Sequence, residues 1–287
     1  MVDWHQYNEK LVRRGEILIS YDVIKSWDKE LAEMNRKKKG RRFLFPDSFM
    51  KLVGYAKVYF GLPYRQTEGL LRTYGNAIPK VPDYTAIHKR VNRLDLRLHP
   101  KVGNNIIIAI DSTGIKVGNR GEWRREIWNM RRRFLKIHVG VDIESKQVVS
   151  LKVTDQHPHD SKHLPYIVES AQEHANVIKV LGDGAYDSKE IFSYLSDHNI
   201  IPCIKIKRNL YSSRSGRYNP RRLYAMPQHS NYRYWRDSVS YGNRWIVESV
   251  FSALKRAFGE HVMSHKRQNM EKELELKVSL YNQFMSV

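Results

Sequence analysis

Apolar positions along the chain follow two different patterns. Up to about residue 100 they recur every three or four residues, which is typical of amphipathic helices. One such segment follows Asp47 and carries Phe49, Leu52, Val53, Ala56 and Phe60. From residue 105 onward, short continuous apolar runs alternate with amphipathic segments, as buried strands alternate with the helices that cover them. The pattern predicts an all-α region at 1–100 and an α/β region at 101–287.

The helical region contains a candidate helix-turn-helix at about residues 47–98. A break at Gly61–Pro63 precedes a second helix in RQTEGLLRTYG, and Asp83 can cap a third in DYTAIHKRVNRLDLRL. The basic residues of the third helix fall largely outside its apolar stripe, and those expected to contact DNA are Lys89, Arg90 and Arg93. A turn followed by a basic amphipathic helix suits a DNA reader, but any three-helix bundle with a solvated basic face has the same pattern.

The α/β region is predicted to form a mixed sheet with helices packed on it. The predicted strands are 105–113, 136–143, 148–155, 177–184 and 201–207. The predicted helices are 161–174, 188–198, 241–258 and 270–285. Between the last strand and the long helix lies a basic, irregular insertion at 208–240, rich in Arg, Tyr and Asn.

Charge and cysteine content narrow the class of protein. Fifty Lys and Arg against thirty Asp and Glu leave a net charge of +20. This favours a polyanionic partner such as nucleic acid, although a ribosome-bound or membrane-surface protein would share the sign. The single cysteine, Cys203, excludes an intramolecular disulfide and a Cys-rich zinc site. No signal peptide and no run of ~18 apolar residues is present, which predicts a cytoplasmic protein without a membrane partner.

Acidic residues stand where chemistry gathers in an α/β sheet. Asp111 follows the strand IIIAI and Asp183 follows VIKVLG, at carboxyl ends where a single aspartate is also a common turn former. The long helix adds a polar stripe, formed by Tyr241, Arg244, Glu248 and Lys255. By itself, such a stripe can also arise from surface ion pairs at helical spacing.

Together the three acids suit phosphodiester cleavage. Two Mg²⁺ ions about 3.5–4 Å apart can activate the attacking oxygen and stabilise the leaving oxygen. Mg²⁺ needs few carboxylates, because waters and substrate phosphates complete its shell. We expect Asp111 to bridge both metals, and Asp183 and Glu248 to hold one each. The phosphates of the DNA backbone would be held by Arg244, Lys255 and Tyr241.

These residues resemble a family signature. The spacing Tyr241-x2-Arg244-x3-Glu248-x6-Lys255 is similar to the Y-R-E-K signature of insertion-sequence DDE transposases of bacteria and archaea. The contexts AIDSTGIKV and LGDGAYDS resemble those of the first and second catalytic aspartates. The segments WHQYNEKLVRRG and LPYRQTEGLLRTYG resemble the insertion sequence five family in particular, so the similarity covers nearly the whole chain.

The resemblance implies an RNase H-like catalytic domain, an N-terminal DNA-binding region, and dependence on two Mg²⁺ ions with Mn²⁺ tolerated. It implies that the protein binds the terminal inverted repeats of an insertion sequence, then cleaves and transfers strands. It also implies that Asp111, Asp183 and Glu248 are the catalytic metal ligands. The expected partners are double-stranded element ends and target DNA, in a prokaryotic cytoplasm where the bound protein is nucleoid-associated. Joining two ends needs at least a homodimer in the active complex.

Three further segments carry polar residues of interest. In the loop 116–136, basic and aromatic residues interleave, and those expected to contact DNA are Trp123, Trp128, Arg131, Arg132 and Arg133. A solvated hairpin with a structural tryptophan would have the same composition. The insertion 208–240 repeats the theme and is expected to line the DNA channel. The histidines of DQHPHDSKH, namely His157, His159 and His163, fit no zinc spacing well, and a loop or a metal site remain open.

Two other functions remain open from the sequence. A catalytically silent DNA-binding protein derived from a transposase would share the DNA-binding region but would have no need of the acids. An RNase H-like nuclease would cleave without joining, and both the N-terminal reader and the Y-R-E-K helix count against it.

Overall fold

The computed structural model of the chain divides into two compact units. One comprises Met1–Arg97 together with Ala257–Val287, and the other comprises Leu98–Arg256. The structure describes residues 3–18, 20, 22–118, 134–155, 159–207 and 220–287, without the side chain of Arg222. None of the helices in these ranges has the length and apolar character needed to cross a membrane.

The helices and strands include those that the sequence pattern predicts, in the predicted order, together with two helices in the insertion and a short sixth strand that it did not predict. The α-helices are α1 (Trp4–Ile17), α2 (Asp22–Lys25), α3 (Trp27–Asn35), α4 (Asp47–Tyr59), α5 (Tyr64–Thr73), α6 (Tyr84–Val91), α7 (Leu164–Gln172), α8 (Lys189–Asp197), α9 (Pro220–Ser230), α10 (Tyr232–Ser238), α11 (Trp245–Phe258) and α12 (Arg267–Met285). The strands are β1 (Asn105–Val117), β2 (Phe134–Asp142), β3 (Val148–Asp155), β4 (Asn176–Gly182), β5 (Ile201–Ile204) and β6 (His261–Val262). Short 3₁₀ helices lie at Asp160–His163, Gly184–Tyr186 and Tyr241–Arg244.

The first unit is built on the close packing of α4 against α12. A Cβ on Gly54 would lie 2.9 Å from Cδ2 of Leu276, so any larger residue would force the Leu276 side chain to shift. At the next residue of α4, the Tyr55 hydroxyl lies 2.7 Å from Oγ of Ser279 on α12, in the buried interface. Residues 257–287, which the sequence pattern attached to the second domain, therefore belong with the N-terminal helices.

The helix starts in this unit follow the prediction in one case and depart from it in another. Asp83 caps α6, where its carboxylate accepts a hydrogen bond from the Ala86 amide at 2.7 Å. The sequence pattern would also allow Asp47 to cap α4, but Pro46 occupies that position, and its side chain cannot accept a hydrogen bond. Asp47 instead pairs with Arg90, which reaches it from α6. The third helix is shorter than predicted and ends at Val91.

The second unit is centred on a mixed sheet, as predicted. Its five-strand path runs β3-β2-β1-β4-β5. Strands β1 and β2 are antiparallel, as are β2 and β3, whereas β4 lies parallel to both β1 and β5. The buried strand residues are almost all apolar, including Ile108, Val180 and Ile204, which have no exposed surface. They pack with α7 and α8 through residues such as Val168 and Phe192.

The covering helix α7 comes unusually near to β2 at one point. A Cβ on Gly140 would lie 2.6 Å from Oγ of Ser150 and 3.1 Å from Cγ2 of Ile167. The absence of a side chain at Gly140 thus allows the helix and the neighbouring strand to close over the sheet.

The insertion before the long helix is more regular than the sequence pattern suggested. Its described part, from residue 220 onward, forms α9 and α10. Arg221 and Trp235 are buried there, with 7% and 4% of their surfaces exposed. The prediction of an irregular stretch is wrong for these residues, because buried contacts with the rest of the unit order them.

Candidate active site

Two of the predicted catalytic acids lie on neighbouring strands. In the parallel pair of β1 and β4, Ala109 is opposite Leu181. Asp111 and Asp183 each come two residues later, so they stand side by side at the carboxyl edge, where adjacent strands are about 4.8 Å apart. Both side chains are half-buried. The register therefore brings the two aspartates together, but the prediction that Asp111 ends its strand is wrong, because β1 continues to Val117 in its pairing with β2.

Backbone amides hold both aspartates in place. The Ser112 amide donates to Oδ1 of Asp111 at 2.8 Å, and the Ala185 amide donates to Oδ1 of Asp183 at the same distance. Each carboxylate has a second oxygen, which these bonds leave for other partners.

The third acid lies on the helix that follows the sheet. Glu248 is in the first turn of α11, and its carboxylate accepts a hydrogen bond from Arg244 at 2.6 Å. Arg244 and Tyr241 precede α11 in a 3₁₀ turn rather than on the single long helix that the sequence predicted. The Glu248 side chain is 55% exposed, so it remains accessible.

Two hydrogen bonds tie this helical segment to the strands that carry the aspartates. The Tyr241 hydroxyl donates to the carbonyl of Gly182, the residue before Asp183, at 3.0 Å. Burial raises the pKa of Tyr241 above its ordinary value and keeps the hydroxyl protonated as a donor. At the other end, Nζ of Lys255 donates to Oγ1 of Thr113, two residues after Asp111, at 2.8 Å. The sequence predicted phosphate contacts for both residues, and in this structure both bind the protein.

The acids influence one another electrostatically. The pKa of Asp111 is raised to about 6, chiefly by burial and in part by the negative charges of Asp183 and Glu248. The Ser112 amide and the Arg244 guanidinium act in the opposite direction. The three carboxylates are therefore close enough to repel one another through a partly buried site, and a cation between them would relieve that repulsion.

The donor chemistry fits a hard divalent cation, since carboxylate oxygens are the ligands that Mg²⁺ prefers. Within the described residues, no three His, Cys, Asp or Glu side chains are already grouped closely enough to hold a metal ion. Glu248 is engaged by Arg244, so it would have to leave that partner to join Asp111 and Asp183 as a ligand.

A buried ion pair supports the loop that follows Asp183. The Asp187 carboxylate accepts bonds from Nε of Arg221 at 2.6 Å, from its terminal nitrogen at 2.8 Å and from the Lys207 amide at 2.8 Å. Ser188 caps the next helix, α8, and its Oγ accepts a bond from the Ile191 amide at 3.3 Å. The expectation that Arg221 lines a DNA channel is wrong, because its guanidinium is buried on Asp187.

A second polar cluster involves the histidine-rich loop. His138 on β2 is 1% exposed, and its Nε2 lies 2.9 Å from Oγ1 of Thr154. Its Nδ1 lies 3.5 Å from Oδ1 of Asp160, which pairs with Lys136, and its ring packs on that of His163 at 4.5 Å between centroids. The sequence analysis missed His138 because it lies within an apolar strand and adjoins the histidine loop only after folding. His159 is exposed, and His157 falls outside the described residues.

The remaining predicted DNA contacts have different surroundings. Lys89 and Arg93 are exposed, whereas Arg90 is held by Asp47 and the Phe45 carbonyl. The residues Trp123, Trp128, Arg131, Arg132 and Arg133 fall outside the described part of the chain.

Comparison with solved structures finds distant likenesses. The chain is 14% identical to a chain of the simian T-cell lymphotropic virus intasome in complex with PP2A regulatory subunit B56 gamma, covers 68% of its own length and 65% of that chain, and gives a TM-score of 0.29. It is 11% identical to a Drosophila P element transposase strand transfer complex, with 91% and 70% covered and a TM-score of 0.35. It is 12% identical to a piggyBac transposase synaptic complex with hairpin DNA. That match covers 96% of this chain and 80% of the other, and its TM-score is 0.33. Similarity at this level carries no functional conclusion.

Comparison with protein families is more informative. A family model described as "Transposase DDE domain" matches residues 103–283, which include the two strand aspartates and the whole Y-R-E-K segment. A second model with the same description matches residues 12–120. These matches support the predicted DDE transposase and its RNase H-like superfamily, while the narrower insertion sequence five assignment stays a prediction. With more than half of its length matched, this chain belongs to the transposase DDE domain family.

Proposed function

We propose that this protein is a DNA transposase that binds the terminal inverted repeats of an insertion sequence and catalyses strand cleavage followed by strand transfer. The observation that carries the proposal is the position of Asp111 and Asp183, each two residues beyond the Ala109–Leu181 pair of the parallel strands β1 and β4, with the charges of Asp183 and Glu248 both acting on Asp111. A protein that only bound DNA would gain nothing from three carboxylates that repel one another and its substrate.

We propose that Asp111, Asp183 and Glu248 together hold divalent cations, with Mg²⁺ preferred and Mn²⁺ tolerated. Two such ions, when bound, would activate the attacking oxygen and neutralise the leaving oxygen. The amides of Ser112 and Ala185 would keep the aspartates in position through the bonds described above. Arg244 would release Glu248 and turn to a phosphate oxygen, which a guanidinium binds through two parallel bonds.

The anchoring contacts suggest how the helical segment contributes. Tyr241 would position Asp183 through the Gly182 carbonyl, and Lys255 would position the end of β1 through Thr113. Lys255 is half-buried and would in addition attract a phosphate near the cleavage site. The active complex would be a homodimer on double-stranded DNA, because two element ends must be joined.

A strand-cleavage and strand-transfer assay tests the proposal. The substrate is a plasmid that carries the element's own ends, incubated with Mg²⁺ or Mn²⁺. Asp111→Asn, Asp183→Asn and Glu248→Gln should each reduce cleavage by at least about 100-fold, as the loss of one charge-stabilising group commonly does, with DNA affinity retained. The matched control is Asp197→Asn, which removes an exposed carboxylate at the end of α8 and should leave cleavage unchanged.

Each other outcome points to a different protein. Binding of the ends without cleavage by the unmodified chain would indicate a silent DNA-binding protein, and cleavage without joining would indicate a nuclease. Substantial cleavage by any of the three variants would remove that residue from the catalytic set.

A further inference from the structure

A basic cavity lies in the first unit, among α4, α5, α6 and the segment that leads into α12. Its volume is about 800 Å³. Four of its lining residues carry a formal positive charge, namely Lys57, Arg65, Lys89 and Lys266. Two histidines, His88 and His265, also line it. None of the described residues that line it is acidic. The cavity therefore presents a concentrated positive potential to whatever enters it.

The buried groups that interact with the lining residue Lys57 include more positive than negative charge. Lys57 and Lys277 are buried, with 4% and 7% of their surfaces exposed, and both act on the single buried carboxylate of Glu273. Burial lowers the pKa of Lys57, and Glu273 partly offsets this effect. Burial alone would raise the pKa of Glu273, but the two lysines hold it below its ordinary value. One glutamate thus serves two lysines, and a buried positive charge without a full partner is costly.

The wall that faces α6 is fixed by the same glutamate. Glu273 accepts bonds from the amides of Met263 and Ser264, both at 3.0 Å, and from the Ser264 hydroxyl at 2.8 Å. Nζ of Lys277 donates to the His261 carbonyl at 2.7 Å. The segment that carries His265 and Lys266 is therefore held in place before any ligand arrives, so little order has to be gained on binding.

Aromatic rings contact two of the cationic side chains that line the cavity. Lys57 lies 4.8 Å from the ring centre of Tyr64, and Arg65 lies 4.6 Å from that of Tyr84. These contacts position the charges without neutralising them, unlike an ion pair with a carboxylate. The cavity is larger than one phosphate requires and leaves room for the adjoining sugar.

We propose that this cavity binds a phosphodiester group of DNA, with Lys57 at its floor and Lys89 and Lys266 at its rim. The inference rests on the proposed function, which supplies DNA as the polyanion. It extends the predicted DNA-binding surface beyond the helix-turn-helix at 47–98, because residues 263–269 form one side of the cavity. A bound phosphate would supply the second negative charge, because Glu273 alone offsets only one of the two buried lysines, Lys57 and Lys277.

Fluorescence anisotropy with the full chain tests the proposal. The probe is a fluorescein-labelled DNA duplex of arbitrary sequence, about three helical turns long, in EDTA so that no strand is cut. The variant Lys89→Gln with Lys266→Gln should raise Kd about tenfold and reduce the slope of log Kd against log salt by about one to two. The matched control is Lys10→Gln with Arg13→Gln, which removes two exposed charges from α1 outside the cavity and should change neither value appreciably.

A buried variant gives an independent reading. Lys57→Met removes the excess charge and leaves Glu273 with one lysine, so the melting temperature should stay the same or rise while Kd increases several-fold. A merely structural lysine would give the reverse result, namely a lower melting temperature with unchanged Kd, which would overturn the proposal.

The remaining outcomes separate this proposal from the proposed function. If the unmodified chain binds the duplex but the cavity and control pairs behave alike, the cavity proposal fails alone. If the unmodified chain does not bind this duplex, the cavity proposal fails, and the cleavage assay on the element's own ends decides the proposed function separately. The melting temperature is also measured in inorganic phosphate and in chloride at equal ionic strength. If phosphate raises it more than chloride, and the cavity pair abolishes this difference without changing Kd for DNA, the cavity is a site for free anions and the proposal is overturned.

Discussion

Removal of the guanidinium that supports the loop after Asp183 should destabilise the second unit strongly. In Arg221→Met the aliphatic stem is kept, but the Asp187 carboxylate loses both nitrogens that bind it at 2.6 and 2.8 Å. That side chain has no exposed surface, so water cannot replace the lost partner. The Lys207 amide remains as its donor at 2.8 Å.

The magnitude follows from the burial of the pair. A buried ion pair that loses one member typically costs 3–5 kcal/mol, because an unpaired charge stays in a low-dielectric site. The remaining bond from Lys207 favours the lower end, so we expect a loss of about 3 kcal/mol. Asp187→Asn should also destabilise, since it removes the carboxylate charge that faces the buried Arg221 guanidinium. Asp187→Asn combined with Arg221→Met should cost less than the sum, with a coupling energy of about 1.5 kcal/mol or more.

Urea denaturation followed by circular dichroism measures these free energies in the full chain. The matched control is Arg236→Met, which breaks an exposed pair with Asp237 on α10 and should have no measurable effect on the unfolding midpoint. A loss below about 1 kcal/mol for Arg221→Met, or strict additivity in the double variant, would refute the idea that the pair is both buried and mutually dependent.

Three further predictions concern neighbouring hydrogen bonds and protonation. Ser188→Ala removes the cap of α8 and should lower the free energy of unfolding by about 1 kcal/mol in urea, whereas an unchanged value would mean that the cap is replaceable. Tyr241→Phe leaves the buried Gly182 carbonyl without its donor and should cost about 1 kcal/mol and slow Mg²⁺-dependent cleavage; unchanged values for both would contradict the anchoring role. The pKa of His138 is lowered from 6.5 to about 4, mainly by burial. As the pH is lowered from 6.5 to 4, the unfolded chain therefore takes up the proton before the folded chain does, and the free energy of unfolding decreases. The loss should reach about 2 kcal/mol at pH 5 and shrink in His138→Gln, and equal pH dependence in the two proteins would contradict it.

Much of the second unit could be predicted because its strands are buried on both faces. Such strands are continuous apolar runs, and the run at 148–155 has the bounds of β3. The end of an apolar run located Asp183 correctly, directly after β4. The same signal singled out Asp111, but β1 continues past it to Val117, because its pairing with β2 extends beyond the apolar run. Glu248 was found through its spacing from Arg244 and Lys255, for which the sequence alone also allowed a surface explanation.

The partners of each element could not be predicted in the same way. A helical period shows that α12 has a buried side but does not show that this side packs on α4, which depends on the lack of a side chain at Gly54. Arg221 and Asp187 are far apart in sequence, and each has a common alternative role on a protein surface. The basic composition of the insertion suggested that its side chains are exposed, whereas the Arg221 side chain is buried in an ion pair with Asp187.

The Y-R-E-K spacing has a physical explanation that resemblance alone does not supply. Tyr241 binds the carbonyl just before Asp183, and Lys255 binds the hydroxyl two residues after Asp111, so the ends of the segment are attached to the two strands that carry the acids. Glu248 lies between these attachments, and its charge reaches Asp111. The spacing is therefore constrained by the separation of the two strand ends as well as by the substrate. A change in the number of residues between Tyr241 and Lys255 would break one attachment and remove the acid from the other two.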